Sequence, residues 1–178
     1  MSAQPRAASP SSLSLVRGGL CIALVFVATM FVNLRLPIAA NGGLIHLGNV
    51  PLFACAILFG KRMGAVAGAF GMTLFDLVSG WTAWAPFTFV IVGCMGYVVG
   101  AVAAPTQGRR MGVNLFAMLL ALVVKVVGYY LAEIVLVGSF TAPLASIPGN
   151  VVQVVAAIVI TLPLMPILTR LAQRMPHW

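Results

Sequence analysis

The chain has 178 residues, of which 62% are hydrophobic and only 7% charged, and its mean hydropathy is +1.12. A soluble domain is about one quarter charged, and no water-soluble fold of this length hides so much apolar surface, so lipid is the solvent this composition requires. The net charge of +8 is not a nucleic-acid footprint: no basic patch is interleaved with aromatics, and cations flanking membrane spans account for it.

Taken in chain order, residues 1–13 open with MSAQPRAASPSS, rich in Ser, Ala and Pro, and read as a disordered cytoplasmic segment. The run GGLCIALVFVATMFVNL after Arg17 has features of a signal peptide, with IAA at 38–40 as its cleavage site. The run is long for that purpose, and Arg35 and Pro37 interrupt the approach, so it is read as a retained span. Apolar segments then lie at about 14–33, 49–60, 62–79, 86–104, 112–138 and 147–171. The expected fold class is an all-α integral membrane protein with six transmembrane helices in one domain over 14–171, followed by a cytoplasmic tail at 172–178. The second segment rises only about 18 Å against roughly 30 Å of hydrocarbon. Its outer end must be sheltered by protein or line a wet cavity.

Basic residues set the orientation. With the N-terminus inside, Arg6, Arg17, Lys61, Arg62, Arg109, Arg110, Arg170 and Arg174 are all cytoplasmic, eight of the ten Lys and Arg. Arg35 is outside and Lys125 lies within a span. Both termini are therefore cytoplasmic, and the even-numbered helices begin at the outer face. Those beginnings carry Pro51, Pro86 and Pro148 in the first turn, with Asn49 and Ser146 as candidate N-caps. Three partially positive helix ends thus face outward. Small residues at four-residue spacing, Gly19 with Ala23 and Gly64 with Gly68, suit close helix packing, either within the fold or against another membrane subunit.

Polar groups within the spans are one-sided. Asp76 and Glu133 lie near the outer ends of the third and fifth helices, and Asn150 and Gln153 near the outer start of the sixth. Lys125, Tyr129 and Glu133 share one stripe at i, i+4 and i+8; the ends of that stripe are about 12 Å apart in rise, too far for direct pairing unless the side chains stretch. Trp81, Trp84 and the loop residue His46 belong to the same outer layer. Trp84, just before Pro86, also suits an interfacial belt, whereas Asp76 and Trp81 suit the wall of a pocket for a flat, nitrogen-bearing ring. Charge inside a membrane costs a few kcal/mol, so this asymmetry points to a ligand pocket open to the outside. No enzyme constellation is present: there is no metal cluster, no cofactor site, no nucleophile with a paired base and no phosphate-binding glycine motif. Cys21, Cys55 and Cys94 lie far apart in apolar runs and are expected to be buried small hydrophobes.

The stretch GGLIHLGNVPLFACAILFGKRMGAVAGAFGMTLFDLVSGWTAWAPFT, with GYYLAEI and IPGNVVQ later, resembles the substrate-binding S components of energy-coupling-factor (ECF) transporters. The resemblance covers about residues 14–171 and is strongest to the riboflavin-type branch, which includes hydroxymethylpyrimidine and pyridoxine carriers. It implies six helices, a pocket near the outer face, a lid in the loop after the first helix, and a complex with a transmembrane coupling subunit and two ATPases. By position it implies His46, Asn49, Asp76, Trp81, Trp84, Tyr129, Glu133, Asn150 and Gln153 as substrate-binding residues. Relatives often carry Asp where this chain has Asn49. The coupling-subunit stripe of the family falls on Gly19 and Ala23, with Gly64 and Gly68 as further docking candidates. Two other classes stay open on the sequence: a membrane scaffold or sensor that transports nothing, and a self-sufficient facilitator or channel. Ligand binding by the isolated chain separates the former, and uptake without ATPases the latter.

The charge bias makes a topological prediction. In a cysteine-free background, a cysteine placed in SFTAPLAS should react with an impermeant thiol reagent applied from outside, and one at Gln107 should not. The reverse pattern would invert the orientation.

Overall fold

The computed structural model describes residues 12–35 and 44–174. Arg6, the candidate cleavage site at 38–40, His177 and most of the two expected terminal segments lie outside the described residues. Six helices follow the apolar segments: α1 (Ser12–Phe31), α2 (Asn49–Phe59), α3 (Lys61–Val78), α4 (Ala85–Ala103), α5 (Met111–Val137) and α6 (Ile147–Arg174). Between α1 and α2 the chain forms a small antiparallel hairpin, β1 (Asn33–Arg35) with β2 (Leu44–His46), pairing Asn33 with His46 and Arg35 with Leu44. The sequence alone suggests a loop here. Strands of three residues leave no alternation to detect.

Helices α1, α4, α5 and α6, with short 3-10 turns extending α4 and preceding α6, are long and apolar enough to cross a membrane. Their outward faces carry exposed Leu15, Val16, Val90, Val135, Val159 and Ile167, the surface that a lipid solvent wants. Helix α3 is of spanning length but carries Lys61, Arg62 and Asp76 near its ends. Helix α2, with 11 residues, packs against α1, α3, α4 and α6 and contributes Leu52, Phe53, Ala56 and Ile57 to the core with no exposure. It is the enclosed half-length helix expected from its length. Gly60, at φ 87°, makes the sharp reversal into α3, a conformation that glycine adopts without steric cost.

The expected N-caps are corrected. Gly48 occupies the cap position of α2, Asn49 lies inside the helix, and its amide has no partner among the described residues. Ser146 ends a 3-10 turn, Ala142–Ser146, that runs straight into α6, so its hydroxyl is buried without capping anything. Cys21 and Cys55 are buried as expected. Cys94 is exposed, beside Ala69, Gly93 and Tyr97 in a shallow apolar groove between α3 and α4.

The glycine pairs resolve into two kinds. A Cβ on Gly64 would sit 2.5 Å from the carbonyl oxygen of Gly96 and 2.6 Å from Ala56 Cβ; one on Gly68 would sit 2.7 Å from Val92 O. Gly64 and Gly68 therefore let α3 press its backbone onto α4 and α2, and the expectation that they face an outside partner is corrected: the chain's own helices cover them. Gly19 has nothing near it, and Ala23 is exposed. That pair lies on an open face of α1.

The two ends of the bundle differ in chemistry. Arg17 lies over the Phe59 ring at 5.7 Å, Lys61 lies over Tyr97 at 5.5 Å, and Gly108 packs on Ile57, Met165 and Thr169. These contacts gather the start of α1, the α2–α3 turn, the α4–α5 connection and the end of α6, with their cations, at one end. The hairpin and the α3–α4 and α5–α6 connections lie at the other.

Replacing Gly64 with Leu should lower the melting temperature in detergent markedly, since overpacking costs about 1–3 kcal/mol or more when no side chain can yield. Gly19→Leu should leave melting unchanged. Equal melting of both variants and the parent would refute the close α3–α4 approach.

Candidate functional site

The cation-poor end holds a cavity of about 70 Å³. Each wall traces to a local cause. The α3–α4 turn folds back when Trp81 N–H donates to Asp76 O (2.8 Å) and Trp84 N–H donates to Trp81 O (2.9 Å). That puts both indoles and the Asp76 carboxylate on one wall. Phe75 and Met72, one turn deeper on α3, extend it with apolar surface. Pro86 in the first turn of α4 sets up the helix that presents Thr88. The Thr88 hydroxyl lies 3.2 Å from the Tyr129 hydroxyl and also within reach of Asp76. The Tyr129 ring stands 6.3 Å from that of Trp84, inclined by 32°, so two neighbouring aromatic rings line the cavity, surface that suits a planar group.

The stripe on α5 enters the cavity along its length: Lys125, Tyr129 and Glu133 all line it. Lys125 is 2% exposed, donates to Gln153 Oε1 at 2.9 Å, and lies 5.4 Å from the centre of the Tyr129 ring. Glu133 is also 2% exposed and makes no polar contact among the described residues. Helix α6 adds Gln153 and Asn150, the latter held by donating to Ser146 O at 3.2 Å. A buried carboxylate without a donor is expensive unless something else supplies one. Among the described residues no group of His, Cys, Asp and Glu could hold a metal ion.

His46 closes the cavity from the hairpin. Its Nδ1 accepts from the Gly48 N–H at 3.3 Å, and its ring lies 6.3 Å from that of Phe75. Burial, and secondarily the Lys125 charge, push the imidazole from its ordinary 6.5 down to about 3. It is therefore neutral near pH 7, with its hydrogen on Nε2. Gly48 beneath it has no room for a side chain, because a Cβ there would collide with Thr29 Oγ1. Thr29, whose hydroxyl donates to Val25 O at 2.7 Å, carries α1 into the same wall.

Of the nine residues expected from the sequence, His46, Asp76, Trp81, Trp84, Tyr129, Glu133, Asn150 and Gln153 line this cavity. Asn49 does not; it is fully buried in the first turn of α2. Thr29, Met72, Phe75, Thr88, Lys125 and Ser146 line the cavity as well. Lys125 was legible as a charge within a span. Ser146 was marked only as a helix cap, and the others carry no mark in the sequence that separates them from ordinary helix residues.

Over residues 10–170 the sequence matches the family model described as ECF-type riboflavin transporter, S component. The chain belongs to that family. Its members are transporter S components, not enzymes. The "Uncharacterized protein in gap 3'region" of Pyrococcus woesei is 37% identical to this S component over 136 residues, 76% of this chain and 88% of the other. The thiamine precursor transporter HmpT of Lactococcus lactis subsp. cremoris (strain MG1363) is 32% identical over 148 residues, 83% of this chain and 82% of that one.

The neutral His46 makes the S component pH-sensitive in a defined window. Its depressed value means that stability is fully present above about pH 6.5 and is lost as pH falls from there toward about 3, where the unfolded chain takes up the proton first. Melting in detergent should fall over this range, and His46→Gln should flatten the fall relative to the parent. Parallel curves would remove His46 as the cause.

Proposed function

We propose that the chain is the substrate-capture component of a vitamin-precursor uptake system. It takes a single-ring, water-soluble compound of the hydroxymethylpyrimidine kind at the outer face of the cell membrane and passes it inward. In this reading all six helices form the membrane domain, with both termini and the cation-rich end on the cytoplasmic side and the hairpin acting as the lid. The eight lining residues expected from the sequence hold the ligand.

The observation that carries the reading is the cavity itself: an aromatic wall of Trp84 and Tyr129 beside a buried carboxylate, Glu133, that accepts no hydrogen bond among the described residues. A flat ring bearing N–H or O–H groups satisfies both at once. Its volume of about 70 Å³ is far below the roughly 300–1,000 Å³ of sites for drug-sized ligands. This favours one ring over the fused three-ring system of riboflavin. The relationship to a thiamine precursor transporter supports the same choice.

Energy comes from elsewhere in this reading. The sequence contains no nucleotide-binding motif, and ligand affinity alone cannot drive net accumulation. A transmembrane coupling subunit and two ATPases, as the family implies, would supply it. The open Gly19–Ala23 face of α1 is where we expect the coupling subunit to dock.

The purified chain should bind hydroxymethylpyrimidine in a calorimetric titration. Glu133→Gln and Asn150→Ala should each weaken binding roughly 2- to 150-fold, as expected for losing one neutral or charge-assisted hydrogen bond. Melting without ligand should change little. If the parent does not bind, or if both variants bind like the parent, the site reading is wrong.

A further inference from the structure

Lys125, like Glu133, is a cavity residue whose burial the fold does not explain. It lies at the deep end of the α5 stripe, two turns below Glu133, at the level where the half-length α2 begins. An ammonium has three donors. Gln153 Oε1 accepts from one at 2.9 Å, and the Tyr129 ring face at 5.4 Å adds a weaker attraction. Among the described residues no carboxylate pairs with it, although the Asp76 charge acts on it from across the cavity. Removing such a charge from water is costly, and replacing it with an apolar residue is commonly neutral or stabilising. The lysine is therefore not there to hold the fold. The residue lines the cavity.

We propose that Lys125 is a specificity-determining residue that reads a hydrogen-bond acceptor on the deep edge of the ligand, while Glu133 reads a donor near the mouth. The inference rests on the substrate-capture reading and extends it to the ligand's polarity. The ligand is a planar ring with an acceptor edge, a ring nitrogen or carbonyl, at one end and an amino or hydroxyl donor at the other, and it enters acceptor first. A site built around a buried donor rejects an isostere that lacks the acceptor, because the donor is then left unpaired. A ring of the right shape with C–H in place of its nitrogens is excluded for this reason rather than for its size.

The test pairs two probes with two variants in the full-length, detergent-purified chain. The probes are hydroxymethylpyrimidine and its carbocyclic analogue, in which C–H replaces both ring nitrogens. The parent should prefer the pyrimidine by at least about tenfold. Lys125→Met should weaken pyrimidine binding roughly 10- to 150-fold, the range for a hydrogen bond to a charged group, and should bring the two probes within a few-fold of each other. Its melting without ligand should be equal to or above the parent's, which a lysine with a purely structural role would not give. Lys125→Gln, which keeps a neutral donor, should retain part of the preference and covers the case in which the Met variant does not fold. Parent-like pyrimidine binding, or a parent-like preference between the probes, in a folded variant would overturn the role of Lys125 alone. Failure of the parent to bind the pyrimidine would overturn the capture reading and this inference with it.

Discussion

A helix of 11 residues rises about 16 Å, roughly half the hydrocarbon thickness. That shortfall in α2 governs the rest of the structure. Four longer helices, α1, α3, α4 and α6, pack around it, so the volume above its first turn belongs to no helix. The chain fills the top of that volume with the hairpin and His46, and what remains is the cavity. Lys125 and Gln153 mark the floor because they lie at the level where α2 begins. The site is thus the unfilled half of a sixth helical position, and its depth was set when α2 stopped at Asn49.

The same shortfall explains the distribution of polar groups. In lipid, buried polar atoms have no water to turn to, yet Asp76, Lys125, Glu133, Asn49 and Gln153 are all nearly or fully buried. All but Asn49 line the cavity. At the level of α2 the centre of the bundle is Phe53, Ile57, Val99, Met118 and Ala121, as apolar as the lipid outside. Polar and apolar packing are therefore separated by depth: the cavity level carries the buried polar side chains and the α2 level the apolar core.

The helices were legible because long apolar runs, proline in three first turns and paired cations at their ends mark the same boundaries, and α2 could be recognised as short by counting. Most of the cavity lining was legible too, since charged and amide side chains within spans are few. The hairpin was not, because its strands are too short for a pattern, and neither were Met72 or Phe75, which look like any core residue. The Gly64 and Gly68 spacing fits an internal seam and an external one equally well; only the position of Gly96 and Val92 opposite them decides. Gly19 and Ala23 have the same spacing and the opposite outcome.

The seam between α3 and α4 has a mechanical consequence. Where interlocked side chains join two helices, rotamer changes let one slide past the other at little cost. Here backbone lies against backbone at Gly64 and Gly96, and there are no rotamers to exchange. The two helices resist shear as one beam, and the turn that joins them, with Trp81 and Trp84, is the tip of that beam. Gly71 brings α1 just as close to α3, against Val25 and the Ile22 carbonyl, so the hairpin is the element of the cavity wall left outside these glycine seams.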